Sequence, residues 1–214
     1  MFKIPYESQP AGSRKCGAYC ARMILQARGN AAISAEAFWK KIKSPDNAGG
    51  EFVKSHAIVK ELLKLKQAAI AITSKKPITI LDNCISSNTY AILGCRNSLS
   101  ENWGHFMVLV DTDKDHVTVH DPHPRGGQNR KIPREELEKL FQRINNNCEL
   151  PSGLLILISN NNSVLSKKVR KHQCPKCNFQ NLNEFTDLIG EFYTNDGYAN
   201  ELICPNCDKD FIPA

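Results

Sequence analysis

Apolar residues recur every three or four positions along much of the chain, which is the spacing of helices that bury one face. This pattern predicts helices over about 13–29, from Ser34, and over about 56–67 and 78–86, and a last helix that opens at Pro133 and turns Leu137, Leu140, Phe141 and Ile144 inward. Shorter apolar runs predict strands over 69–72, 90–94, 103–110, 117–121 and 154–158, and residues 45–50 are expected to form a loop. Because helices come first and an antiparallel sheet follows, we expect an α+β fold.

The polar residues at 111–115 lie between two of the predicted strands and have the length of a hairpin turn. If Asp113 centres this turn, His105 and Asp121 are equally distant from it and directly oppose each other. Directly opposed residues point to the same face of a sheet, with Cβ atoms about 4.5–5.5 Å apart. The pattern therefore predicts a histidine that is oriented by a carboxylate.

Cys16 lies upstream of the hairpin, near the start of the first predicted helix, where unpaired N–H groups and the helix dipole favour an anion. A cysteine in that setting, paired with an imidazole, is a good nucleophile. In this interpretation His105 accepts the thiol proton and later protonates the leaving amine, and Asp121 fixes the tautomer of the imidazole. Gln9 would join the Cys16 backbone N–H in holding an oxyanion, and Gly17 would let a substrate approach closely.

Composition and charge exclude several classes of protein. The 214 residues, of which 41% are hydrophobic, suffice for a medium domain with a real core and a small module. A formal net charge of +6, spread along the chain, argues against a nucleic-acid partner. No window reaches the roughly 18 apolar residues that span a membrane, and the N-terminus lacks an apolar signal core. We expect a protein without a membrane partner that is cytoplasmic, or is exported without a conventional signal peptide.

The nine cysteines fall into three groups. Cys16 is the candidate nucleophile. Four others, in mostly apolar surroundings, are expected to be buried thiols rather than disulfides: Cys20, Cys84, Cys95 and Cys148. The last four form two Cys-Pro-x-Cys motifs, each of which places two thiolates on a tight turn: Cys174, Cys177, Cys204 and Cys207. Together these motifs predict a zinc ribbon with one structural zinc ion in a closed tetrahedral site.

The cysteine motifs also determine the predicted domain organisation. We expect a catalytic domain at 1–159, a polar linker at 160–173 and the zinc ribbon at 174–214, with the two domains folding independently because the linker has few apolar residues. From Cys174 onward the chain carries two basic and seven acidic residues. That balance argues against binding to phosphates and favours a ribbon that docks a protein or recruits the substrate.

Three segments resemble the motifs of papain-like cysteine peptidases: residues 9–20 (QPAGSRKCGAYC), 103–110 (WGHFMVLV) and 117–122 (VTVHDP). They are most similar to the bacteriocin-processing, double-glycine branch, whose pattern is Gln…Cys-Gly, Gly-His-Phe and Asp-Pro in that order. The resemblance covers roughly residues 4–158 and implies a papain-like fold, with the nucleophile helix packed on an antiparallel sheet. It also implies Cys16 as nucleophile, His105 as base, Asp121 as orienting residue and Gln9 in the oxyanion hole. Members of this branch are commonly the front ends of peptide-exporting transporters, whereas this chain carries no transporter and is expected to be free-standing.

The leading hypothesis is a thiol protease that hydrolyses peptide bonds in a protein or peptide substrate, with cleavage after Gly-Gly and a role as a bacterial toxin or effector as its narrower forms. One alternative is a Cys-dependent amidase, deamidase or acyltransferase, which would use the same residues on another acceptor. Another is an inactive papain-like scaffold that binds a protein, which differs from an enzyme in the reactivity of its cysteine. The chain's own Gly-Gly pairs, at 49–50 and 126–127, are interpreted as flexible loops rather than self-cleavage sites.

Overall fold

The helices predicted from apolar spacing are all present in the computed structural model, which describes residues 1–45, 50–159, 173–179 and 201–211. They are α1 (Cys16–Ala27), α2 (Ala35–Ile42), α3 (Ser55–Lys64), α4 (Pro77–Ser86) and α5 (Arg134–Phe141). Ser34 caps α2, since its hydroxyl accepts a hydrogen bond from the Ala37 backbone N–H. No helix in these ranges is both long enough and apolar enough to cross a membrane.

Two helix ends differ from the prediction. Helix α1 begins later than expected, so that Cys16 is its first residue. Helix α5 ends at Phe141 because Gln142 has an extended backbone, with φ −80° and ψ 139°. Ile144 therefore lies beyond the helix and is 50% exposed, contrary to its predicted inward position. At the other end of α5, Pro133 is the N-cap and not the first helical residue.

The strands bear out the predicted runs and add others. In the described part of the chain they are β1 (Lys43–Pro45), β2 (Glu51–Val53), β3 (Ala69–Thr73), β4 (Thr89–Arg96), β5 (Gly104–Thr112), β6 (His116–Asp121), β7 (Gly127–Pro133), β8 (Leu154–Ser159), β9 (Glu201–Ile203) and β10 (Asp210–Phe211). Strands β1 and β2 pair with each other on either side of the predicted loop, of which residues 46–49 lie outside the described ranges. The other eight form one antiparallel sheet in the order β10-β9-β3-β8-β4-β5-β6-β7. Helices followed by a large antiparallel sheet make the fold α+β.

Helices cover both faces of the large sheet. On one face, α4 and α5 bury Ile80 and Leu137 in a core that includes alternate residues of β3, such as Ile70. On the other face, α1, α2 and α3 bury side chains such as Phe38 and Ile58 against the intervening residues of the same strands. Since the sheet is buried on both sides, its central strands β4 and β8 are almost continuously apolar.

Gly17 brings the nucleophile helix close to the sheet. A Cβ atom at this position would lie 2.8 Å from Ile58 Cδ1 and 3.3 Å from Phe106 Cδ2. The residue is buried, so its lack of a side chain lets α1 pack against β5 and α3. Gly17 thus serves the packing of helix α1. The role predicted from the sequence, close approach of a substrate, is not the one that its buried position supports.

The C-terminal cysteine segment extends the sheet of the main body. Strand β9 pairs antiparallel with β3, with Ala71 opposite Ile203 and Thr73 opposite Glu201. Cys174 also belongs to the core on the α4–α5 face. The predicted ribbon and the predicted catalytic domain therefore share one sheet, and their independent folding stays a prediction. Most of the predicted linker at 160–173, and residues 180–200 between the two cysteine motifs, lie outside the described residues.

Candidate active site

The hairpin that carries His105 and Asp121 has a different register from the predicted one. Its turn is centred between Lys114 and Asp115, because the Asp113 carboxylate accepts hydrogen bonds from the N–H groups of Asp115 (2.9 Å) and His116 (2.8 Å) and the Asp113 N–H donates to the His116 carbonyl. The predicted direct opposition of His105 and Asp121 is therefore wrong.

A β-bulge in β5 places His105 and Asp121 on the same face of the sheet, which the observed turn alone would not do. Near the turn Asp111 lies opposite Thr118, whereas beyond Val110 the register shifts, so that Leu109 lies opposite Val119. A shift of one residue exchanges the two faces of a strand. Without the bulge His105 would face away from Asp121, and with it the two residues are diagonal neighbours on one face. Their side chains meet, with His105 Nε2 2.7 Å from Asp121 Oδ1.

Asp121 is buried and held on both of its oxygens. Besides His105, Oδ1 accepts a hydrogen bond from the His123 backbone N–H at 2.9 Å, and Oδ2 accepts one from Arg130 Nη1 at 2.7 Å. Burial alone would raise the pKa of this carboxyl, but the hydrogen bonds from His105, His123 and Arg130 outweigh it and hold the pKa below its ordinary value. Asp121 is therefore a fixed anion beneath the imidazole.

Sequence reasoning missed two residues that position Asp121. Arg130 lies on β7, opposite Val119 of β6. Gly126 precedes that strand, and a Cβ atom there would lie only 2.0 Å from Asp121 Cγ. Of the Gly-Gly pair at 126–127, interpreted as a flexible loop, Gly126 packs against the site, whereas a Cβ atom at Gly127 would meet nothing within 4 Å. A signal was available in part, because a glycine pair shortly after a strand marks a turn.

The environment of His105 favours its protonated form. Burial lowers the pKa of this imidazole, but hydrogen bonds from its ring to Asp121 and Cys16, with the charges of both groups, raise it to about 10. Because Nε2 is engaged by Asp121, the other ring nitrogen is left to interact with Cys16. The imidazole therefore lies between the Asp121 carboxylate and the Cys16 side chain.

Cys16 is the first residue of α1, and the N-cap residue Lys15 makes no side-chain capping hydrogen bond. Cys16 lines a cleft of about 1610 Å³ together with His105 and Gln9. Elsewhere, burial raises the pKa of the Cys20 thiol, and that of Cys95 to about 12. Cys16 differs from these two thiols in its place at a helix N-terminus that borders the cleft. The four cysteines expected as buried thiols are buried: Cys20, Cys84, Cys95 and Cys148.

Gln9 is 5% exposed and tied to the site by its backbone and its side chain. Its backbone N–H donates to the Pro122 carbonyl at 2.8 Å, directly after Asp121. Its side-chain Nε2 donates to the Ser13 carbonyl at 3.0 Å, just before α1. An amide nitrogen carries two N–H donors. Gln9 lines the same cleft as Cys16.

The four cysteines of the two C-terminal motifs form a second cluster. Their Sγ atoms all lie within 4.8 Å of one another, with 3.6 Å between Cys174 and Cys207 and 3.7 Å between Cys177 and Cys204. A tetrahedral site with metal–sulfur bonds of about 2.3 Å has sulfur–sulfur edges of about 3.8 Å. The cluster could therefore hold one metal ion with little movement of the thiols.

Comparison with known proteins concerns the main body of the chain. The model of the Peptidase_C39 like family matches residues 1–149, which include Gln9, Cys16, His105 and Asp121 and end before the cysteine cluster. No curated protein matches the chain.

Three solved structures of peptidases resemble this fold. A C39-like peptidase from Bacillus anthracis is 18% identical, with a TM-score of 0.56, over 74% of this chain and 96% of that chain. The peptidase domain of Streptococcus ComA, a bifunctional ABC transporter involved in quorum sensing, is 14% identical with a TM-score of 0.52, over 74% and 98%. A double glycine motif protease from an AMS/PCAT transporter, solved with a leader peptide, is 17% identical with a TM-score of 0.51, over 73% and 92%. At these identities the likeness shows the fold alone, which is the papain-like fold that the motifs implied.

Proposed function

The chain belongs to the Peptidase_C39 like family and is a cysteine peptidase, and from this premise we propose that Cys16, His105, Asp121 and Gln9 carry out hydrolysis of peptide bonds in a protein or peptide substrate. The observation that supports these roles best is the buried 2.7 Å contact between His105 and Asp121, beside a cysteine at a helix N-terminus in the same cleft. A carboxylate, an imidazole and a thiol in this order are the parts of a nucleophile activated by a base that a third group orients.

In the first half of the reaction, the Cys16 thiolate attacks the carbonyl carbon of the scissile bond. The carbonyl oxygen becomes an oxyanion, which we assign to the free N–H of the Gln9 amide and the backbone N–H of Cys16. His105, protonated at neutral pH, then donates its proton to the leaving amine as the carbon–nitrogen bond breaks. An acyl thioester on Cys16 and a free amine result.

In the second half, His105 removes a proton from water as the water oxygen attacks the thioester. The oxyanion forms again at the same donors, and its collapse releases a carboxylic acid and the Cys16 thiolate, with the proton retained on His105. Asp121 takes no proton in either half. It holds the imidazole in one orientation and stabilises its positive charge.

The cleft and one structural relative support a peptide substrate. The cleft of about 1610 Å³ exceeds the roughly 300–1,000 Å³ typical of small-molecule pockets, so it has room for several residues of an extended chain. One of the similar structures is a double glycine motif protease bound to a leader peptide. We therefore extend to this chain, as a proposal, cleavage after Gly-Gly in a peptide. The role as a toxin or effector and the division into domains at 1–159, 160–173 and 174–214 stay predictions.

For the second cluster we propose one structural zinc ion bound by Cys174, Cys177, Cys204 and Cys207. Four thiolates suit zinc, and the observed sulfur–sulfur distances suit its tetrahedral geometry. Four protein ligands leave no open position for water, so the ion would crosslink the chain and supply no catalytic group.

The deciding experiment compares new peptide termini that wild-type enzyme and Cys16→Ala produce in a whole-cell lysate, with Cys148→Ser as the control for loss of an unrelated thiol. We expect termini that depend on Cys16 and persist in Cys148→Ser. Released ammonia or transferred acyl groups without new termini would instead support the amidase, deamidase or acyltransferase alternative. Failure of Cys16 to react with any electrophile would support the scaffold.

A further inference from the structure

The cleft that holds Cys16 is lined in part by residues from the cysteine cluster's own segment. Glu201 and Ile203 of β9 contribute to it, as does Asp208 from the turn that follows. All three lie beyond residue 149, where the family match ends. Ile203 precedes Cys204 and Asp208 follows Cys207. The segment that shapes this part of the cleft therefore also carries two of the four clustered thiols.

The first connection between this segment and the cleft runs through the sheet. Strand β9 pairs with the edge of β3, where Glu201 lies opposite Thr73, and Thr73 also lines the cleft. Strand β9 has three residues and β10 two, which is short for strands that must hold their own position. The buried thiols of Cys174 and Cys204 anchor the segment in the core beneath the sheet.

The second connection runs through the start of α3. Asp208 lies 2.8 Å from His56 Nδ1 through Oδ1 and 3.5 Å from Lys54 Nζ through Oδ2. Lys54 and its neighbour Ser55 line the same cleft. One turn further along α3, Lys60 Nζ donates to Asn206 Oδ1 at 3.3 Å. The turn at 204–208 thus contacts the helix whose first residues border the active site.

We propose that the cysteine cluster, with its metal ion bound, builds one wall of the substrate cleft, so that metal occupancy governs the binding of peptide substrates without any part in the chemistry. The proposal rests on the proposed peptidase function. A metal ion bound by both motifs would join 174–177 to 204–207 and so hold β9 and the turn at 204–208 against β3 and α3. The wall and Cys16 border one cleft. The part of the substrate that binds against the wall is therefore an extended stretch on one side of the scissile bond.

The test uses the full chain loaded with zinc, and the same protein after removal of zinc by a strong chelator, with metal content measured in both. Two readouts are compared: cleavage of a randomised pool of quenched ten-residue peptides, and alkylation of Cys16 by iodoacetamide, which is too small to need the wall. Two variants accompany them. Asp208→Asn removes the charge that meets His56 and Lys54 but suits the positive φ of 62° at this position. Lys176→Ala is the control, since Lys176 is exposed in the other motif and does not line the cleft.

We expect zinc removal to lower kcat/KM on the pool at least tenfold, mainly through KM, while alkylation of Cys16 changes less than twofold. Asp208→Asn should raise KM with its zinc retained, and Lys176→Ala should match wild type. Unchanged cleavage after loss of zinc would overturn the proposal, as would an equal fall in alkylation, because the metal would then support the whole fold. If the zinc-loaded protein alkylates at Cys16 but cleaves no peptide in the pool, the proposed peptidase function itself fails.

Discussion

His105 and Asp121 form their 2.7 Å contact diagonally across a hairpin, and a bulge at Val110 is what brings them to the same face. Diagonal neighbours are farther apart than directly opposed ones, so the pair depends on how the carboxylate is oriented. That orientation comes from Arg130, the His123 N–H and the packing of Gly126. The residues around Asp121 are therefore as informative to test as the catalytic residues themselves.

Gly126→Ala should disable the enzyme without removing any catalytic group. The new Cβ atom would meet Asp121 Cγ at 2.0 Å, so the carboxylate must move away from His105. We expect kcat to fall about 10²–10⁴-fold, approaching the loss in Asp121→Asn, with circular dichroism unchanged. Arg125→Ala is the matched control, because its side chain is exposed one residue away. Wild-type kcat in Gly126→Ala would mean that Asp121 does not orient the imidazole.

Arg130→Gln should shift the acid limb of activity to higher pH. Burial raises the pKa of Asp121, but its hydrogen-bond partners lower it by more, so the net shift is downward. Arg130 is one of these partners. Loss of that cation therefore raises the pKa, and the anion under His105 is protonated at a higher pH as the solution is acidified. The measurement is kcat/KM between pH 3.5 and 6 for wild type, Arg130→Gln and Arg130→Lys, with exposed Arg125→Gln as control. Coincident acid limbs in wild type and Arg130→Gln would exclude this role.

Stability should decrease on the alkaline side because of His105. Burial lowers the pKa of this group, but Asp121 and Cys16 raise it to about 10, against about 6.5 in an unfolded chain. A raised pKa in the folded state means that the stabilisation is complete below pH ~6.5 and is lost as the pH rises through about 10. Denaturant unfolding from pH 6 to 10 should show a falling free energy of unfolding in wild type and a weaker decline in His105→Gln. Parallel curves for the two proteins would contradict the proposed pKa.

Cys16 should be the first thiol to be alkylated. Cys16 lies at a helix N-terminus that borders the cleft, beside His105, whereas burial raises the pKa of Cys20 and Cys95. The competitor is Cys148, whose pKa is lowered chiefly by the Asn145 backbone. Limiting iodoacetamide at pH 6.5, with mass spectrometry of the zinc-loaded protein, measures the order, and Cys148→Ser removes the competitor. If His105→Ala leaves the rate at Cys16 unchanged, the histidine does not activate it.

Gln9→Ala should lower kcat about 10²–10³-fold with a smaller effect on KM, since an oxyanion donor acts mainly in the transition state. Gln9→Glu is the informative partner, because it keeps the size of the side chain but places an acceptor beside the oxyanion. Both variants need a stability check, since the Gln9 side chain also donates to the Ser13 carbonyl before α1. Kinetics of Gln9→Ala equal to wild type would remove Gln9 from the proposed site.

Local patterns predicted the helices and the inner strands of this fold, because each buries a face that recurs at a fixed spacing. The hairpin of His105 and Asp121 was predicted as a contact but with the wrong register. Its turn depends on side-chain hydrogen bonds of Asp113, and its bulge has no marker in the apolar pattern.

What the sequence could not supply is long-range pairing. The attachment of β9 to β3 joins residues more than a hundred positions apart, and nothing local in either strand indicates its partner. Arg130 likewise reaches Asp121 only because β7 returns beside β6. The pairing of β7 with β6 positions the Asp121 carboxylate beside His105, and the pairing of β9 with β3 positions one wall of the cleft. The residues that sequence reasoning missed therefore surround the catalytic residues that it predicted.

The bulge at Val110 implies a rule for the length of the segment between the two site residues. In a hairpin with a two-residue turn and regular strands, residues on the same face are separated by an odd number of positions, whereas His105 and Asp121 are separated by 16. Loss of one residue from either strand between the turn and these residues would put the two side chains on opposite faces unless the bulge were lost as well, whereas residues added at Lys114 and Asp115 lengthen the turn and leave the pairing of the strands in place. The strands on either side of the turn, rather than the turn itself, would then limit which insertions and deletions this hairpin accepts during evolution or engineering.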